Sequence, residues 1–269
     1  MMYVTDALKV LLTALLIIGL LSLGGCTNQE GHVEPLIRMQ YIPIRVVTFF
    51  DITGSAVEHG VPIVDSISMA PIVEYVLENG GEVAIGTIES VSERPLLRLR
   101  VDVPPQPPTD GSQQSQNVFL AAKQKAAYEK RFTSYQSRLK RWKDKNQLAM
   151  RGFWQSVREL LAMPAKESST DVRNAVLRGN AFLSESDASW NGPTLRFAIL
   201  CTDGEHNVKS QPTIVPVDST VYILVPGIRE GCLTSLNPIK FESLPSAIRY
   251  VISGEKFVSN AAVTAQKGG

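Results

Sequence analysis

Along the chain, β-branched and aromatic runs alternate with stretches whose apolar residues recur every three or four positions, the patterns of strands and helices respectively. Ile44-Arg45-Val46-Val47-Thr48-Phe49-Phe50 reads as a buried strand broken by Asp51-Ile52-Thr53-Gly54-Ser55. From Ile63 to Leu77, apolar residues fall at helical spacing (Ile63, Ile67, Ala70, Val73, Val76, Leu77), and Asn79-Gly80-Gly81 supplies a helix end. Val83 to Ile88 and Leu96 to Val101 are the next strands, the second alternating as an edge strand does. The run Pro104-Pro105-Gln106-Pro107-Pro108-Thr109-Asp110-Gly111-Ser112 is read as a linker, since neither a helix nor a central strand tolerates it. Asn117 to Met163 has no proline and a single glycine, Gly152, and is rich in good helix formers, which predicts one long helix or a helical hairpin. A helix over Asp171 to Phe182, strands over Leu195 to Cys201 and Thr220 to Val225, and a helix over Phe241 to Ile252 complete the reading. This alternation predicts an α/β fold: a doubly wound, mostly parallel sheet carrying an inserted long helix or hairpin.

The first run stands outside that pattern. Val10 to Leu23 is uncharged and apolar over 14 residues, shorter than the roughly 20 that a spanning helix needs. It ends in Leu23-Gly24-Gly25-Cys26 and gives way to the polar Thr27-Asn28-Gln29-Glu30-Gly31. The junction resembles a bacterial lipobox, which implies cleavage before Cys26 and a diacylglyceryl group on its thiol, each buried methylene contributing about 0.8 kcal/mol. An uncleaved anchor with an incidental cysteine is the alternative. Thr27 rather than Asp after the cysteine implies, by the same resemblance, the outer membrane facing the periplasm if the host is didermal. The expected organisation is a signal peptide (1–25), a tether (26–43), the first part of a domain (44–103), a Pro-rich linker with a helical insertion (104–164), the second part of the domain (165–257) and a flexible tail (258–269).

Composition narrows the class. A chain 44% hydrophobic and 20% charged is neither disordered nor collagen-like, and three cysteines are too few for a disulfide scaffold. The formal charge of +1 gives no reason to expect nucleic acid as a partner. Its distribution changes that picture, because residues 117–167 hold 12 Lys and Arg against 4 Asp and Glu, leaving the rest of the chain net acidic. Aromatic residues interleave with those charges, and Phe132, Tyr135, Leu139 and Trp142 follow seam spacing. The insertion reads as an arm packing on its own domain or on itself, a docking element for a partner or a second copy, or a contact with anionic lipid or nucleic acid.

Candidate chemistry lies in three polar clusters at expected strand ends or helix starts: Asp51-Ile52-Thr53-Gly54-Ser55, Ser168-Ser169-Thr170-Asp171 and Thr202-Asp203-Gly204. Ligands gather at the carboxyl ends of strands in open α/β sheets. Carboxylates and hydroxyls converging there make an all-oxygen environment suited to a hard divalent ion. In order, the three clusters resemble the von Willebrand factor A domain and its metal-ion-dependent adhesion site. Asp51-x-Thr53-x-Ser55 matches that family's Asp-x-Ser-x-Ser with a hydroxyl kept in the middle, Thr170 matches its threonine before a helix, and Asp203 matches its aspartate in Thr-Asp-Gly. The resemblance implies that Thr53, Ser55 and Thr170 offer oxygens to Mg²⁺, or to Mn²⁺ or Ca²⁺, while Asp51 and Asp203 act largely through bound water. It further implies adhesion: an open metal position filled by an Asp or Glu carboxylate of a partner protein.

Simpler readings stand beside this one. Asp51 and Ser55 serve equally as caps of the following turn, Thr170 as an N-cap and Asp171 as a first-turn charge. His32, His59 and His206 show no paired metal spacing and read as surface or loop residues, with Glu205 and His206 near the rim of the Asp203 cluster. Cys201 reads as a small apolar strand residue, and a Cys201–Cys232 bridge stays open. No nucleophile-base pair or carboxylate dyad is evident, so an enzyme is not expected. The expected function is a membrane-anchored bacterial lipoprotein mediating metal-dependent protein-protein interaction or envelope assembly. The alternative is a scaffold lipoprotein with a vestigial metal site that acts through its basic helical insertion.

Overall fold

A computed structural model describes residues 42–90, 92–109, 118–162, 169–186, 190, 194–208, 213–226 and 231–253. The leader, Cys26, most of the tether with His32, the tail and residues 110–117 of the linker lie outside the described residues.

Six strands form one sheet: β1 (Ile44–Asp51), β2 (Gly81–Ile88), β3 (Leu97–Val101), β4 (Leu195–Cys201), β5 (Thr220–Val225) and β6 (Ile239–Lys240). Their order is β3-β2-β1-β4-β5-β6, all neighbours parallel except the edge pair β2 and β3. Every residue of β1 is buried, as expected of a central parallel strand covered on both faces. Period-two alternation divides it, with Ile44, Val46 and Phe50 in one core and Val47 and Phe49 in the other. Phe49 and Phe50 are fully buried, and each such side chain contributes about 1.5–3 kcal/mol by leaving water.

Among the described residues there are five α-helices: α1 (Gly54–Glu58), α2 (Ser66–Asn79), α3 (Val118–Leu161), α4 (Val172–Ser184) and α5 (Leu244–Ile252). Helices α2 and α5 and the end of α3 pack on one sheet face, while α4 and a 3-10 turn over Gly231–Leu236 cover the other. The α/β class and mostly parallel sheet expected from the sequence are therefore present, with the insertion as one helix of 44 residues rather than a hairpin. Its length is about 66 Å at 1.5 Å per residue.

Helix α2 corrects the expected apolar face. Asp65 caps it, accepting from the backbone of Ile67 at 3.1 Å and Ser68 at 2.7 Å, while the Ser68 hydroxyl accepts from the Asp65 N–H at 3.1 Å. This box starts the helix at Ser66 and sets its phase. Met69, Ile72, Val73 and Val76 turn inward, leaving Ile67 82% exposed, while Ile63 lies before the helix and is 60% exposed. The chain then enters β2 through Gly81, where a Cβ would come 2.3 Å from the Ile44 carbonyl oxygen, so no larger residue fits. The short elements α1, β6 and the 3-10 turn carry no periodic signal and were not expected.

Topology positions the site. The chain builds outward from β1 through β2 to β3, then returns to lay β4 on the other side of β1. Connections leave the carboxyl ends of β1 and β4 in opposite directions, and that divergence opens a crevice between them.

Candidate functional site

At this crevice, Asp51 ends β1 and Thr202 and Asp203 follow β4. The parallel register pairs Phe50 with Cys201, which puts the two loops side by side. Asp51 is buried and shapes its own turn: Oδ1 accepts from the Thr53 backbone at 3.0 Å and from Thr53 Oγ1 at 2.6 Å. Oδ2 accepts from Thr202 Oγ1 at 2.8 Å. The Thr170 hydroxyl, from the segment before α4, donates to Thr53 Oγ1 at 3.1 Å across 117 positions of sequence. Ser55 Oγ, in the one-turn helix α1, lies 3.4 Å from Thr53 Oγ1. Hydroxyls of Thr53, Ser55 and Thr170 thus meet in front of the Asp51 carboxylate.

Asp203 flanks this group. Its Oδ1 accepts from the Glu205 backbone at 3.0 Å, and its Oδ2 lies 3.0 Å from His59 Nδ1. Burial pushes the Asp51 carboxyl above the usual carboxylate range, hydrogen bonds from Thr53 and Thr202 oppose the shift, and the Asp203 charge adds to it. Asp51, Thr53, Ser55 and Thr170 are therefore linked side chain to side chain, and Asp203 lies close enough for its charge to bear on Asp51.

Caps resolve differently from the simpler readings. Asp171 rather than Thr170 is the N-cap of α4, accepting from the Asn174 backbone at 3.2 Å. Thr170 is held from behind, since its N–H donates to Asn207 Oδ1 at 2.7 Å and its carbonyl accepts from the Asn207 N–H at 3.3 Å. That clamp frees the Thr170 hydroxyl to face Thr53.

His59 holds the exposed turn position expected of it, while His206 lies in a loop with its side chain buried. His59 reaches Asp203, and the ligand atoms of His59, Asp203 and Glu205 lie within 4.8 Å of one another, a mixed nitrogen and oxygen group beside the hydroxyl cluster. The side chain of His206 is 4% exposed, 3.9 Å from Asp171 Oδ1, with neither ring nitrogen hydrogen-bonded among the described residues. Sequence reasoning left Thr202, His59 and Asn207 out of the site. Thr202 stood in the Thr-Asp-Gly cluster and its neighbour relation to Asp51 follows from strand order, whereas His59 and Asn207 are positioned by loop paths that leave no sequence signal. Cys201 and Cys232 are both free thiols, and burial pushes Cys201 up to about 12.

The donor set fits a hard divalent cation. Three neutral hydroxyl oxygens and two carboxylates converge, and among the described residues no Lys or Arg lies within 4.0 Å of Asp51 or Asp203. A cation there would offset the burial and mutual repulsion that hold the Asp51 carboxyl high. Comparison with known proteins assigns nothing further: no family model, no curated protein and no solved structure matches the chain.

Proposed function

We propose that this protein is a lipid-anchored component of a bacterial envelope whose von Willebrand factor A-like domain holds a divalent cation and binds a partner protein through it. Thr53, Ser55 and Thr170 supply hydroxyl oxygens to the ion, Mg²⁺ in the first instance, and Asp51 and Asp203 hold its water. Bound there, the cation supplies an electrophilic position that an Asp or Glu carboxylate of the partner fills. The protein residues orient the donors, keep the first shell mostly neutral and leave the ion attractive to an anion. The reaction is association, not catalysis.

One observation carries this reading. Three clusters separated by up to 151 positions join in a single run of side-chain hydrogen bonds, from Thr170 through Thr53 to Asp51 and on to Thr202, at the point where strand order reverses. Capping alone gives no reason for the Thr170 hydroxyl to turn from its own helix toward Thr53, since Asp171 already caps α4. Anchoring at Cys26 rests on the resemblance of its flanks to a lipobox.

Isothermal titration of MgCl₂ into the full chain in nonionic detergent tests the metal. Binding is expected in the wild type, and its loss in Asp51→Ala and Thr170→Val. Equal heats in all three, or none in the wild type, overturn the reading and favour the scaffold alternative.

A further inference from the structure

Helix α3 divides into two halves. Its contribution to the core runs from Trp142 to Leu161, with Phe153 and Val157 buried against the sheet face that also receives α2 and α5. Trp142 Nε1 donates to the Asp102 carbonyl at 3.1 Å and Lys145 pairs with the Asp102 carboxylate at 2.9 Å, fixing the helix to the end of β3. In the preceding 24 residues, 118–141, no described side chain belongs to either core cluster. At 1.5 Å per residue they extend about 36 Å.

That half nevertheless carries a seam. Tyr128, Phe132, Tyr135 and Leu139 follow 4-3-4 spacing, which runs on into Trp142 of the packed half, the repeat of a helix that pairs with another helix. Rings of Tyr128 and Phe132 stack at 5.8 Å, and those of Phe132 and Tyr135 lie 5.9 Å apart, so the stripe is continuous. Arg131 and Arg138 line one flank, at the positions that set partner choice in paired helices.

We infer that residues 118–141 dock a helix of a partner protein whose apolar seam is flanked by Asp or Glu. Charge selects this occupant. A second copy of the arm in parallel sets Arg138 against Lys143, and an antiparallel copy sets the Arg131–Arg138 flank against itself, so self-pairing brings like charges together. Lipid is disfavoured by shape. The seam is a narrow stripe, and Lys123, Lys130 and Arg141 occupy the opposite side, whereas a helix lying in a bilayer surface needs a broad apolar face. The contact needs no metal and stands apart from the crevice.

The test uses the full chain in nonionic detergent and two synthetic heptad peptides with the same Leu and Ile seam, one flanked by Glu and one by Lys. The Glu peptide is expected to bind and to slow amide exchange across residues 121–139. Arg131→Glu with Arg138→Glu is expected to weaken it about tenfold and to transfer preference to the Lys peptide. Phe132→Ala is expected to weaken it by a similar factor while keeping the helix, since alanine has the highest helix propensity. Binding of neither peptide, equal binding of both, or slowed exchange caused by nanodiscs rich in phosphatidylglycerol or by raising the chain's own concentration overturns the inference.

Discussion

The two ends of the sheet treat buried charge in opposite ways. At the amino ends of the strands, Arg45 and Glu82 are 2% and 1% exposed and lie 3.5 Å apart. Arg98 Nε donates to Glu82 at 2.8 Å and its terminal nitrogens reach Glu185, while Phe182 and Trp190 present ring faces to the guanidinium groups. Each acid there is met by a cation of the same chain. At the carboxyl ends, Asp51 and Asp203 are equally buried, yet their neighbours are hydroxyls, backbone N–H groups and one imidazole. Buried carboxylates need compensation. One end carries its own, and the other is left short of positive charge.

The comparison is sharpened most by breaking the paired end. Glu82→Ala leaves Arg45 buried without its acid, and urea unfolding is expected to report a loss of about 3–5 kcal/mol. Replacing the pair together, Arg45→Met with Glu82→Leu, should recover most of that loss.

Smaller effects belong at the unpaired end and depend on the ion. Without divalent metal, Asp51→Asn is expected to leave stability unchanged or slightly higher, because the charge that burial penalises is gone. With Mg²⁺ at a hundred times its dissociation constant, the wild type should gain about 2.7 kcal/mol and Asp51→Asn nothing. Thermal unfolding in EDTA and in MgCl₂ checks both. A large loss for Asp51→Asn in EDTA would mean that this carboxylate is held by the protein alone and would erase the contrast.

The smallest effect is at Glu185, where the Arg98 hydrogen bonds hold the carboxyl below its usual range. A depressed acid adds stability above its unfolded value, near 4.5, and loses it as pH falls through the folded one. Glu185→Gln should therefore cost at most about 1 kcal/mol at pH 7, given its exposure to solvent, and nothing at pH 2. Stability measured across pH checks the sign.

How much of this was legible in the sequence follows from the range of the forces involved. Strand and helix periods are local, so β1, β2, β4, β5 and the helical state of α3 could be read directly, though not whether α3 was one helix or a hairpin, and the three oxygen clusters followed once strand ends were placed. The phase of α2 was misread, because Ile63 and Ile67 fit the helical period, yet the Asp65 capping box starts the helix at Ser66, which leaves Ile63 before it and Ile67 facing outward in its first turn. His59 escaped notice for another reason: its contact with Asp203 spans 144 positions and depends on the path of the turn after α1. Alternation in β3 marked an edge strand but not its pairing: Arg98, half-exposed, joins the buried Glu82 of β2 to the exposed Glu185 after α4.

Two groups of donors compete for a cation, the hydroxyl cluster of Thr53, Ser55 and Thr170 beside Asp51 and the His59–Asp203–Glu205 group next to it. Electron spin echo measurements on the full chain loaded with one equivalent of Mn²⁺ separate them, because a directly bound imidazole nitrogen couples to the metal and oxygen donors do not. The account predicts a bound ion without nitrogen coupling, lost in Thr170→Val and retained in His59→Ala. Nitrogen coupling that disappears in His59→Ala, with binding indifferent to Thr170→Val, would contradict it.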